Sequence, residues 1–199
     1  MGKVTDLKAQ KRPGRVSVYV DGKFAFGLSD WQVVDYKIRI GKELDESLLA
    51  ELTSEAEIGK LYDLALRWLA IRPRSHYEIN QYLFRKTDDK DLRAKVFIML
   101  NDKGFVNDEK FAQSWLESRR LLKRVSERKL RQEMRSKRID DAIISKVLAE
   151  DDTDELAVLK ELVEKKRRMS RYQDDEKLLQ YLVRQGFNLG DIKTVLFEQ

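Results

Sequence analysis

One histidine, no cysteine and a run of ten cations within twenty residues bear most directly on what chemistry this chain could do. Without cysteine there is no thiolate nucleophile, disulfide scaffold or cysteine zinc knuckle, and a single imidazole cannot supply the paired histidines of most catalytic zinc or iron sites. That histidine, His76, follows Ser75, the expected N-cap of a helix. The positive end of the helix dipole disfavours an imidazolium there, so a neutral surface or structural role is expected. The acidic pairs Asp88-Asp89, Asp140-Asp141, Asp151-Asp152 and Asp174-Asp175 have the composition of a Mg²⁺ or acid–base site. They fall where helices begin, however, and capping of free N–H groups accounts for them without a metal. Neither G-x-x-x-x-G-K-[ST] nor G-x-G-x-x-G occurs. An enzyme is the weakest of the function classes considered, and no cofactor or metal is expected.

The cations are the stronger signal. Arg119, Arg120, Lys123, Arg124, Arg128, Lys129, Arg131, Arg135, Lys137 and Arg138 face only Glu127 and Glu133, a local charge of +8 in a chain whose net charge is +5. Such density commonly serves phosphate neutralisation with counterion release. Arg128, Arg131, Arg135 and Arg138, spaced three, four and three, are expected to form one stripe on a helix. Contact with an acidic protein, or a merely solvated face, are the competing readings.

These residues must be positioned by helices. Charged residues make up 38% of the 199, with 9 Gly and 2 Pro, a composition that favours helix and a large surface. Only the start differs. Arg15–Val20 alternates Val16, Val18 and Val20 with polar neighbours, Asp21-Gly22 suits a type I′ turn, and Lys23–Leu28 reads as the return strand. Ser29 and Gln32 have the form of a capping box for a short helix over Trp31–Tyr36, and a second short helix is expected over Glu46–Leu52. From Ser54 the period becomes 3.6, with Ser54 and Glu57 as the expected cap. No stretch approaches the roughly 20 apolar residues of a membrane span, and the N-terminus leads into charge rather than an apolar signal core, so a cytoplasmic protein is expected.

The helical part repeats. Leu64, Ala65, Trp68 and Leu69 recur 47 residues on as Phe111, Ala112, Trp115 and Leu116, and 47 further as Val158, Leu159, Leu162 and Val163. Ile79, Leu83 and Val96 recur at an offset of 51 as Leu130, Met134 and Val147, then at 48 as Leu178, Leu182 and Val195. The change from 47 to 51 predicts a four-residue insertion around Leu121–Val125. The fold class is therefore mainly α: three tandem three-helix repeats in an elongated curved array, behind a small N-terminal β-hairpin-plus-helix module. The expected divisions are 1–53 for that module and 54–107, 108–151 and 152–199 for the repeats.

The run from Ala65 to Lys86, followed by Leu100 to Arg120, resembles the bacterial RecX family of recombination regulators. Arg72-Pro73-Arg74-Ser75, Glu78, Gly104, Asp108, Phe111, Ala112, Arg119-Arg120, Leu130, Arg131 and Met134 carry the resemblance, which spans roughly residues 60–199. The third repeat departs from the pattern through its acidic entry at Asp151–Glu155 and its lack of Trp. The resemblance implies a non-enzymatic protein that lodges in the groove of the RecA nucleoprotein filament and limits RecA ATP hydrolysis and strand exchange; a monomer is expected. Single- or double-stranded DNA is a further expected contact. Arg72 and Arg74 join the basic run as expected contact residues. The alternatives are a helical-repeat DNA-binding protein independent of RecA and an adaptor for an acidic protein.

Overall fold

A computed structural model describes residues 1–11 and 13–197. The chain divides into two compact units, one of Met1–Arg72 with Ile79–Val106, the other of Pro73–Glu78 with Asn107 onward.

In the first unit, strands β1 (Gly2–Ala9), β2 (Arg15–Val20), β3 (Lys23–Ser29) and β4 (Glu43–Leu44) form an antiparallel sheet of order β3-β2-β1-β4. The β2–β3 turn is the expected one, with Asp21 and Gly22 both at positive φ. Helix α1 (Asp30–Asp35) opens with the expected capping box of Ser29 and Gln32. Helix α2 (Glu46–Leu69) differs from the sequence expectation: one 24-residue helix, capped by Asp45, runs through Ser54. Its N-terminal half closes the sheet core, Leu52 and Ala56 packing with Val4, Val18, Phe26, Leu28 and Leu44. Its C-terminal half belongs to a second core, where Ile58, Leu61 and Ala65 meet Ile79 and Leu83 of α3 (His76–Phe84) and Val96 and Leu100 of α4 (Lys90–Asp102).

A buried polar knot ties sheet to helix. Arg15, 8% exposed, donates to Asp63 at 3.0 Å and to the Gly27 carbonyl at 2.6 Å, and Ser29 Oγ donates to Asp63 at 2.6 Å. Gln32, fully buried, accepts from the Ser29 N–H and donates to the Glu55 carbonyl. Gly59 makes room for it, since a Cβ there would stand 2.1 Å from Gln32 Oε1.

The second unit holds two more helical triplets: α5 (Asp108–Leu122), α6 (Glu127–Ser136) and α7 (Asp141–Ala149), then α8 (Glu155–Arg167), a 3₁₀ turn at Ser170–Tyr172, α9 (Asp175–Arg184) and α10 (Leu189–Phe197). The register predicted for the second helices is the one that is buried: Ile79, Leu130 and Leu178, and Leu83, Met134 and Leu182, are each fully enclosed at matching places in the three triplets, whereas in the third helices Val96 and Val147 are buried but Val195 is only half-buried and Ile192 takes the enclosed place. Their second helices share a cap position too. Ser75, Ser126 and Asp174 accept from the N–H groups of Glu78, Lys129 and Lys177.

Candidate functional site

Helix α6 forms because Ser126 caps it and its apolar residues, Leu130 and Met134, fall four apart on a core-facing stripe. The remaining positions are mostly charged and face outward. Arg128, Lys129, Arg131, Gln132 and Arg135 line a groove of about 440 Å³ whose other wall is Val183, Arg184 and Gly186 at the end of α9. Five cations and no carboxylate residue line it.

Close approach of the two helices rests on Gly186. At φ +90° it turns the chain out of α9, and a Cβ there would stand 2.5 Å from Ser126 Oγ and 3.1 Å from the Lys129 nitrogen. Ser126 uses that space to donate to the Gln185 carbonyl at 2.9 Å while accepting from Lys129.

The predicted contact residues separate into distinct environments. Arg128, Arg131 and Arg135 share the groove. Arg131 is steadied by Glu127 at 3.1 Å and Ser145 at 3.1 Å, and Arg135 by Asp141 at 2.7 Å. The hydrogen bond from Arg135 and its charge hold the exposed Asp141 carboxyl below its usual range. Arg128 carries no ion pair among the described residues and projects into solvent. Arg138 lies beyond the end of α6, in the left-handed region at φ 59°, and its guanidinium stands 5.9 Å from the Tyr77 ring.

The N-terminal part of the basic run is drawn into structure. Arg119 stacks 4.2 Å over Trp115 and donates to Glu133 at 2.5 Å, the same carboxylate that accepts from the Trp115 indole N–H at 2.9 Å. Lys137 joins that cluster through Trp115 and Glu78. Arg120 donates twice to Asp151, at 2.9 and 2.7 Å, and once to the Val125 carbonyl, with both side chains largely buried. Arg124 donates to Glu161 at 2.7 Å, and Lys123 is exposed at the end of α5, in the predicted insertion. Arg72 and Arg74 are half-buried beside Pro73 and do not line the groove.

Of the acidic pairs, Asp89, Asp140 and Asp174 cap helices as expected. Asp151 does not: Asp154 caps α8, and Asp151 receives Arg120 and Thr153 instead. Among the described residues no cluster of three or more His, Asp or Glu side chains is arranged to hold a metal ion, and no helix is long and apolar enough to cross a membrane.

Sequence reasoning missed Arg184. Asp174, Asp175 and Glu176 dilute the charge of its own window, and only the repeat register, which sets α9 beside α6, together with the glycine two residues on, could have flagged it.

Comparison with known proteins shows which family this chain resembles. Residues 2–45 match the model of the regulatory protein RecX N-terminal domain, and residues 107–148 that of the RecX second three-helix domain. The regulatory protein RecX of Leuconostoc citreum is 27% identical over 201 residues, covering 98% of this chain and 76% of that one. The Bacillus subtilis regulatory protein RecX is 28% identical over 199 residues, covering 97% and 75%. A crystal structure of regulatory protein RecX superposes with a TM-score of 0.72 at 24% identity over 98% of both chains, and that of RecX from Lactobacillus salivarius with 0.57 at 24% over 71% of this chain and 96% of that one, likenesses of fold. With its N-terminal sheet and its second triplet both matched by RecX models, and regulatory relatives aligned along nearly its whole length, the chain is similar throughout to the RecX family of regulatory proteins.

Proposed function

We propose that this protein regulates homologous recombination by binding the RecA nucleoprotein filament and restraining RecA ATP hydrolysis and strand exchange, and that the α6–α9 groove is where it meets the polynucleotide backbone. The observation that carries the reading is the acid-free lining of that groove, five cations on two helices held at a fixed separation. A phosphodiester chain gives Arg128 and Arg184, which form no ion pair among the described residues, a partner, adds a second one for Arg131 and Arg135, and releases its counterions on binding. Contacts from these cations to phosphate oxygens carry no sequence information, so binding there is expected to be largely independent of sequence. Regulation then comes from occupancy, with no bond made or broken by the protein.

The test is single-strand-stimulated ATP hydrolysis by RecA, with the protein titrated from well below to above the recombinase and DNA varied independently. Inhibition at low ratios that extra DNA does not relieve, and that Arg128→Glu with Arg184→Glu weakens, is the expected result. Inhibition abolished by excess DNA would instead favour a DNA-binding protein acting without RecA, using the same groove.

A further inference from the structure

The first unit carries a second groove, unlike the one between α6 and α9. Strand β3 is an edge of the sheet, paired only with β2. Beside it runs one face of α2, where Thr53, Ala56, Lys60, Leu64 and Arg67 succeed one another at helical spacing, and the two walls enclose a recess of about 370 Å³. Phe24, 60% exposed, and Phe26 and Gly27 form the strand wall. A smaller recess of about 200 Å³ shares Glu57, Lys60 and Leu64 with it and continues to Lys86 and Leu92.

Three features define what this groove accepts. Its helix wall, fourteen steps from Thr53 to Arg67, rises about 21 Å, and β3, whose Phe24, Phe26 and Gly27 line the recess, extends about 23 Å over its seven residues. An extended chain of six or seven residues spans the same distance. Phe24, Phe26, Ala56 and Leu64 give it an apolar floor, and a strand edge without a partner strand offers backbone groups that another peptide complements along its length. Its charged rim is predominantly basic. Lys60, Arg67 and Lys86 are exposed and form no ion pair among the described residues, against the single acid Glu57, while Arg15 is neutralised by Asp63.

We propose that β3 and α2 form a docking groove for an extended acidic peptide segment of another protein, apolar side chains alternating toward Phe26, Ala56 and Leu64 and carboxylates toward Lys60, Arg67 and Lys86. A polynucleotide fits less well, because its backbone carries no N–H donors for a strand edge and Glu57 sits between the recesses, where a phosphodiester charge would fall.

The experiment uses the full chain and labelled six-residue peptides alternating Asp or Glu with Val, Leu or Phe, read by fluorescence anisotropy, with Lys-for-acid versions as controls. The acidic peptides are expected to bind and the basic ones not to. Lys60→Glu with Arg67→Glu, both at exposed positions, is expected to weaken binding on the order of tenfold or more. In ¹H–¹⁵N spectra of the unaltered protein, the Gly27 and Thr53 amides are expected to shift with the acidic peptide. Failure of every acidic peptide to bind, equal binding by the charge-reversed variant, or displacement of the same amides by a thymidine oligonucleotide and not by peptide would each overturn the proposal.

Discussion

At the scale of single residues, the basic run is two populations with opposite duties. Arg120 is enclosed with Asp151, so truncating it strands a carboxylate in a site from which water is largely excluded. Arg120→Ala is expected to cost about 3 kcal/mol in urea unfolding, whereas Arg128→Ala, at an exposed residue without an ion pair, is expected to change stability negligibly. The same site has a pH signature. Burial pushes the Asp151 carboxyl up, but hydrogen bonds from Thr153 and Arg120 and the Arg120 charge outweigh it and hold it below its ordinary value. Its stabilisation is therefore present above about pH 4 and lost as pH falls through that lowered value. Glu155 nearby is shifted the other way, by burial, which outweighs a hydrogen bond from the Glu127 backbone and the Arg120 charge and is reinforced by the charges of Glu127 and Asp191. Its ionised form weakens the fold at neutral pH, a penalty relieved as pH falls through the raised value, so Glu155→Gln is expected to raise Tm at pH 7 and to lose that advantage near pH 4. The sequence makes the cations plain but not their assignment. The acids that absorb them come from 14, 31 and 37 residues away, Glu133 to Arg119, Asp151 to Arg120 and Glu161 to Arg124, distances over which only the folded chain sets neighbours.

At the scale of helices and strands, two glycines hold elements close, and their replacement reverses an ordinary rule. Glycine inside a helix is normally worse than alanine by roughly 0.5–1 kcal/mol, yet Gly59→Ala is expected to destabilise, because Gln32 has no other place to lie. Gly186→Ala is expected to cost about 2 kcal/mol, through its left-handed backbone and its contact with Ser126. Thermal unfolding of both variants decides; a raised Tm for Gly59→Ala would show that Gln32 can move aside. Elements specified by local signals were legible: the Asp21-Gly22 turn, the Ser29–Gln32 box and the caps Ser75 and Asp89. Strand β1 was not, since its sequence GKVTDLKA shows no clean alternation and it is held by pairing on both edges, to β2 and β4. The unity of α2 was also hidden. Ser54 and Glu57 imitate a cap, but the apolar positions Leu48, Leu49, Leu52 and Ala56 lead into the helix with no Gly or Pro between Asp45 and Ser54, so the earlier cap at Asp45 prevails.

At the scale of the whole molecule, a net charge of +5 understates how unevenly charge is exposed, because Arg15, Arg119 and Arg120 are spent on internal carboxylates while Arg128 and Arg184 are not. Arg128→Ala with Arg184→Ala is therefore expected to lower the slope of log affinity against log salt for single-stranded DNA by about 1.4, roughly 0.7 for each phosphate no longer neutralised. Arg119→Ala, by comparison, is expected to act on Tm and leave the slope alone. The single long helix α2 has another consequence, one of timing. As the chain leaves the ribosome, β1, β2 and β3 emerge before α2, but their core lacks Leu52 and Ala56, and Arg15 lacks Asp63, until α2 has followed. The N-terminal sheet thus cannot finish folding ahead of α2, and nascent chains arrested before α2 is clear of the exit tunnel are expected to remain open to protease, whereas those arrested after it become resistant in one step.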